Sequence, residues 1–244
     1  MKLNNLMQLL KDNARAEAPA AIRCEVSDDQ ADVYVYDVID SMWGASAAGL
    51  VSALASVGDK TVNLHINSPG GDVFEARAMT AAIAAHPGKV IAHIDGVAAS
   101  AASYLALAAS EVRMTDGGLF MIHNAWTMAM GDRNDFRSTA DLLEKIDGTI
   151  AADYMRKTGK SADDIAALMD AETWMTAQEA LDSGFIDAVD ANSQTKDKAN
   201  AKWNLSAYAN APKAEEPKEP EADLAALAAA QTQRNRNRLR LFQI

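Results

Sequence analysis

Two stretches of the chain share one plan, and that plan restricts the fold more than any other feature. In each, a short apolar run gives way to small residues and then to helical spacing. The first is a strand at 62–66, the loop Asn67-Ser68-Pro69-Gly70-Gly71-Asp72 and a helix over about 72–85, stopped at His86-Pro87-Gly88. The second is a strand at 90–94, a turn at Asp95-Gly96 and a helix over 100–108. Strands alternating with helices imply right-handed crossovers and parallel pairing, so the class is α/β.

The rest of the pattern fits that class. Residues 22–26 and 32–38 alternate apolar and polar side chains around Ser27-Asp28-Asp29-Gln30, which reads as a hairpin. Leu50, Leu54 and Val57 give 46–57 a helical period. Short strands are expected near 111–114 and 119–123. A long helix over about 135–156 carries Phe136, Leu142, Leu143, Ile146, Ile150 and Tyr154 on one side. Ser161 and Asp164 cap a shorter helix ending at Met169, and a helix at 176–183 precedes a strand near 185–189.

Composition narrows the function. One cysteine, Cys24, excludes a disulfide scaffold and a Cys-rich zinc site. The four histidines (His65, His86, His93, His123) show no metal-ligand spacing, so no metal is expected. A net charge of −11 argues against nucleic-acid binding. Neither a secretory leader nor a membrane span is expected, since the longest small-residue run, 97–109, is mostly alanine. The expectation is a soluble, cytoplasmic protein.

The charge is unevenly spread. Residues 191–244 hold nine Lys/Arg and six Asp/Glu, so the acidic excess lies upstream. Pro212, Pro217 and Pro220 among Lys, Glu and Asn mark 191–221 as a flexible linker. A marginal helix and the basic run Arg234, Arg236, Arg238 and Arg240 follow within 222–243. The division is therefore an N-terminal segment (1–20), a domain (21–190) and a tail (191–244).

Three places combine tight turns with reactive groups. The Pro69-Gly70-Gly71 loop lets backbone approach a ligand and aim N–H groups at negative charge, although glycine pairs also serve plain connections. Ser100 lies among small residues at a helix N-terminus, whose field favours a developing oxyanion; an isolated serine there is ordinarily an N-cap. Ser103, one turn on, is its decoy. His123 ends an apolar strand, where an imidazole can act as base. His65 and His93 read as packed strand residues, and His86 as a helix C-terminal cap. A base needs an orienting carboxylate, and Asp170 and Glu172 both qualify.

Four segments in order, INSPGGD (66–72), GVAASAAS (96–103), FMIHN (120–124) and TGKSADDI with WMTAQEALDSGFID (158–187), resemble the ClpP family of serine peptidases. The resemblance implies a ClpP/crotonase-type spiral of ββα units forming homo-oligomeric rings, with no cofactor. It matches Ser100 to the nucleophile, His123 to the general base, and the Gly71 and Ala101 N–H groups to the oxyanion hole. Gap-free counting puts the family's aspartate at Glu172; a two-residue shift would give Asp170 instead. Gly70, Ala125, Trp126 and Thr127 match the substrate-binding strands, with Asn124-Ala125 replacing the usual Gln-Pro.

The segments YVYDVID and SMWGASA, the Glu172-Thr173-Trp174 stretch and the tail resemble phage-encoded ClpP-like head-maturation proteases. That implies scaffold and capsid proteins as substrates, in the host cytoplasm or the assembling prohead. Other readings are a Clp-like peptidase working with an ATPase, a crotonase-fold acyl-CoA enzyme, a Ser–Lys peptidase, and a non-catalytic ring-forming assembly protein.

Overall fold

Apolar side chains alternate along the central strands and line up across them. In the computed structural model, which describes residues 22–191 and 203–212, Val33, Leu64, Ala92 and Val112 stand in register on one face of a sheet. Val35, Ile66, Ile94 and Met114 form the next layer. All eight side chains are fully buried. The expected N-terminal segment, residues 192–202 and 213–221 of the linker, and the basic tail lie outside the described residues.

The strands are β1 (Arg23–Val26), β2 (Gln30–Val35), β3 (Thr61–Ser68), β4 (Val90–Ala99), β5 (Glu111–Thr115), β6 (Leu119–Ile122), β7 (Thr173–Thr176) and β8 (Ala188–Asp190). The helices are α1 (Ala47–Val57), α2 (Val73–Ala85), α3 (Ala101–Ala106), α4 (Arg133–Thr158), α5 (Ala162–Asp170) and α6 (Ala177–Asp182). The sheet runs β1-β2-β3-β4-β5-β8, with the expected antiparallel hairpin at one edge and parallel pairing through the rest. Leu50 and Leu54 of α1, Met79 and Ile83 of α2, and Tyr154 of α4 join the apolar face in one core. The fold class read from the sequence is the one observed.

The Ser161 cap read from the sequence forms, and Ser46 and Asp72 cap two further helices. Ser46 accepts from Gly49 N, Asp72 from Phe74 N and Glu75 N, and Ser161 from Asp164 N. The long helix α4 buries only Ile150 and Tyr154 fully; Phe136 and Leu142 stay exposed.

Strand β4 corrects the expected turn at Asp95-Gly96. It continues through both residues to Ala99, and the pairing with β3 steps from Ile66↔Ile94 to Ser68↔Ala98. Two extra residues in β4 make an irregularity rather than a reversal. Tyr36 Oη donates to Asp95 at 2.5 Å, and His65 Nδ1 lies 2.8 Å from the same carboxylate oxygen. A Cβ on Gly96 would come within 2.8 Å of Asn67 Oδ1, so backbone packs where a side chain would not fit.

That irregularity divides β4 between two partners. Residues 91–94 pair with β5, whereas Val97, Ala98 and Ala99 pair with Leu119, Phe120 and Met121 of β6. The end of β4 is thereby fixed beside the end of β6. Strand β7, which the sequence reading lacked, runs antiparallel to β6.

Candidate active site

Ser100 follows the last residue of β4, and its N–H donates to Met121 O of β6 at 3.0 Å. Its backbone is left-handed (φ 53°, ψ −123°), and its side chain makes no cap hydrogen bond. A side-chain-bearing residue there costs about 1–3 kcal/mol and persists only where its surroundings enforce it. What the turn achieves is aim: Ser100 Oγ lies 2.8 Å from His123 Nε2.

Ser103 has a different task. It is fully buried, with its hydroxyl 2.6 Å from Ser100 O and 2.7 Å from Tyr154 Oη. The other histidines are engaged elsewhere: His65 and His93 stack with ring centroids 5.1 Å apart, and His86 Nε2 lies 2.9 Å from Lys60 O.

The glycine loop closes over the serine turn. Gly70 has φ 90°, and a Cβ there would lie 2.5 Å from Ala99 O, 2.8 Å from Ser100 Cβ and 3.0 Å from Ala101 N. Gly70 O accepts from Ile39 N at 2.9 Å, and Asp72 N donates to Ile39 O at 2.7 Å, so both flanks of Gly71 are tied down. Ala101 opens α3, in the turn whose N–H groups have no acceptor within their own helix. Gly71, Ser100 and Ala101 thus lie on two backbone segments in close approach.

The two candidate acids separate. Asp170 Oδ1 accepts from Asn124 Nδ2 at 2.6 Å. Glu172 precedes β7, where extending the register past the Ile122–Thr173 pair sets it opposite His123. It is the other non-glycine residue with positive φ (47°) among those described. Its carboxylate accepts from Trp174 Nε1 at 3.3 Å, Ala209 N at 3.0 Å and Asn210 N at 2.7 Å. Burial pushes the His123 imidazole down to about 4, with Glu172 pulling the other way. At neutral pH the ring is uncharged and can accept a proton.

Residues 124–127 form no strand within this single chain, unlike the family expectation. They follow β6 without a sheet partner of their own, and Ala125 N is held by Asp147 Oδ1 at 2.6 Å. Trp126 is partly exposed. Beside Ser100 and His123, a recess of about 10 Å³ is lined by Val73, Ala101, Tyr104, Ala125, Ile150 and Tyr154.

Sequence reasoning missed residues 203–211, which pack onto this site. Tyr208 is buried against His123 and Trp174, with ring centroids at 5.4 and 5.6 Å. Its hydroxyl donates to Pro69 O. Trp203 Nε1 donates to Asn67 Oδ1 at 2.9 Å. The Lys- and Pro-rich composition around the segment hid it; its own Trp203, Leu205 and Tyr208 were the available signal.

Residues 24–193 match the Clp protease family. A subunit 1 of the ATP-dependent Clp protease proteolytic component from Leifsonia xyli subsp. xyli is 30% identical over 155 residues, covering 63% of this chain and 79% of the relative. Its counterpart in Protochlamydia amoebophila is 32% identical over 169 residues, covering 66% and 81%. The proteolytic subunit from Streptococcus salivarius is 29% identical over 200 residues, covering 77% and 98%. The sheet, the divided strand β4 and the family match together make this chain a member of the Clp protease family.

Proposed function

We propose that this Clp-family protease is a serine endopeptidase acting through an acyl-enzyme. The 2.8 Å approach of His123 Nε2 to Ser100 Oγ carries the reading. His123 takes the hydroxyl proton as Ser100 Oγ attacks a peptide carbonyl, and the Gly71 and Ala101 N–H groups receive the oxyanion. One such donor is worth about 3–4 kcal/mol of transition-state stabilisation. The imidazolium passes its proton to the leaving amine, then deprotonates the water that hydrolyses the ester. Glu172 orients His123, and Asp170 holds the Asn124 loop through its 2.6 Å bond. No step needs a cofactor.

Substrate main chain runs beside Gly70 on one side and Ala125, Trp126 and Thr127 on the other, as an added strand. The family's ring assembly would enclose the site, with α4 as a contact between copies.

The substrates we propose are phage scaffold and capsid proteins, cut during head maturation in the host cytoplasm or prohead. Residues 34–47, the Glu172-Thr173-Trp174 stretch and the long tail support that choice by resemblance. Co-expression with neighbouring genes tests it: the wild type should shorten scaffold or capsid proteins, and Ser100→Ala should not. Equal products from both would overturn it.

A further inference from the structure

We propose that residues 203–211 are a resident inhibitor of the active site, seated through Tyr208 and latched onto Glu172. The inference rests on the serine-peptidase reading and adds a control to it.

The segment touches His123, Glu172 and the glycine loop. Tyr208 fills the space beside His123 and Trp174, and its hydroxyl reaches Pro69 O in the glycine loop. Trp203 binds Asn67 at the start of that loop, through its 2.9 Å bond to Oδ1. Ala209 N and Asn210 N engage the two oxygens of Glu172, and Asn210 Nδ2 donates to Ala171 O at 2.8 Å. Leu205 and Ala211 pack with Ala99, Met121 and Trp174 in a small apolar cluster. Burial raises the Tyr208 phenol well above its usual range, with the nearby Ser100 hydroxyl pulling the other way.

The backbone distinguishes an inhibitor from a substrate. Tyr208 N donates to Leu205 O at 3.0 Å, so the segment is folded into a turn. Cleavable peptides add as extended strands and pair along the main chain. Here a side chain, rather than a peptide carbonyl, packs on the base. Meanwhile Ser100 and His123 remain 2.8 Å apart. The catalytic pair is assembled while Tyr208 packs on the His123 ring and Glu172 is held by the segment, so releasing it requires no refolding of the domain. Tethering within one chain keeps the segment at an effective concentration of about millimolar order.

The test uses full-length chains: wild type, Tyr208→Ala and Ala209→Pro, which lacks the N–H that reaches Glu172. Fluorophosphonate labelling of Ser100 and hydrogen exchange across 203–211 are followed together. Tyr208→Ala should label at least about tenfold faster, as expected when a mostly closed population opens. Ala209→Pro should label faster by a smaller factor, and both should lose protection across 203–211. A synthetic WNLSAYANA peptide added to Tyr208→Ala should slow labelling again, whereas WNLSAAANA should not.

Equal labelling of all forms, or faster labelling of wild type, overturns the inhibition while leaving the peptidase reading intact. No labelling of Ser100 in any form overturns both. Should Tyr208→Ala fail to fold, Ala209→Pro and its response to WNLSAYANA decide the matter; an unchanged rate there rejects the proposal.

Discussion

Glu172 immediately precedes Thr173, and His123 immediately follows Ile122, the residues that close the antiparallel pairing of β6 with β7. Its carboxylate is nevertheless held by the N–H groups of Ala209 and Asn210. This candidate acid sits at the end of the sheet pair and is restrained by a distant part of the chain. Their separate removal has different consequences.

Removing the nucleophile or base is the first test. Ser100→Ala and His123→Ala should each lower peptide turnover by at least about 10⁴-fold, since these residues act as one unit. Ser103→Ala should keep serine labelling but lose about 1–3 kcal/mol of stability, because the buried Tyr154 hydroxyl loses a partner. Mass spectrometry after fluorophosphonate treatment and denaturant titration read the two effects.

The acids should divide likewise. Glu172→Gln, measured in the Tyr208→Ala background, should lower kcat by about 10³–10⁴-fold, the scale of losing an orienting carboxylate. Asp170→Asn should change kcat by less than about tenfold, as it alters a loop contact rather than the imidazole. The reverse order would make Asp170 the acid.

His123 sets a pH dependence. Its neutral form is the base, so reactivity disappears as pH falls through a folded pKa of about 4. Opening the site with Tyr208→Ala lets water reach the ring, and the acidic limb should move toward the ordinary 6.5. Stability follows the same sign: a depressed folded pKa gives a contribution fully present above 6.5 and lost as pH falls to about 4. Its size is roughly 3 kcal/mol. Labelling rates and denaturant midpoints across roughly pH 3–7.5 check both, and His123→Gln should remove the dependence of the midpoint.

Gly70 offers a backbone test. At φ 90°, an added Cβ would meet Ala99 O at 2.5 Å, and backbone cannot swing aside as a long side chain can. Gly70→Ala should abolish labelling and cost about 1–3 kcal/mol or more.

The parallel strands, the Ser161 cap of α5 and the approach of Ser100 to His123 were legible because each rests on local spacing or a contiguous motif. Asp95-Gly96 misled because the same dipeptide serves a turn or a strand irregularity; packing against Asn67 and the Tyr36–Asp95–His65 contacts decides. Strand β7 was hidden in a four-residue element, Thr173–Thr176, whose pairing with β6 is long-range. Local pattern could not separate Asp170 from Glu172, whose different surroundings depend on that pairing. The seat of 203–211 was invisible for the same reason: Tyr208 meets its partners only through folding of residues far apart in sequence.

The left-handed backbone at Ser100 sets firmness against chemistry. Glycine adopts φ 53° freely, so Ser100→Gly should melt no lower than the wild type while losing all turnover. Ser100→Ala keeps a Cβ and therefore the strain, and should gain nothing. A lineage that no longer needed the cut would drift toward glycine here and become sturdier. An enzyme that keeps serine at this point accepts a permanently strained turn as the condition of its reactivity.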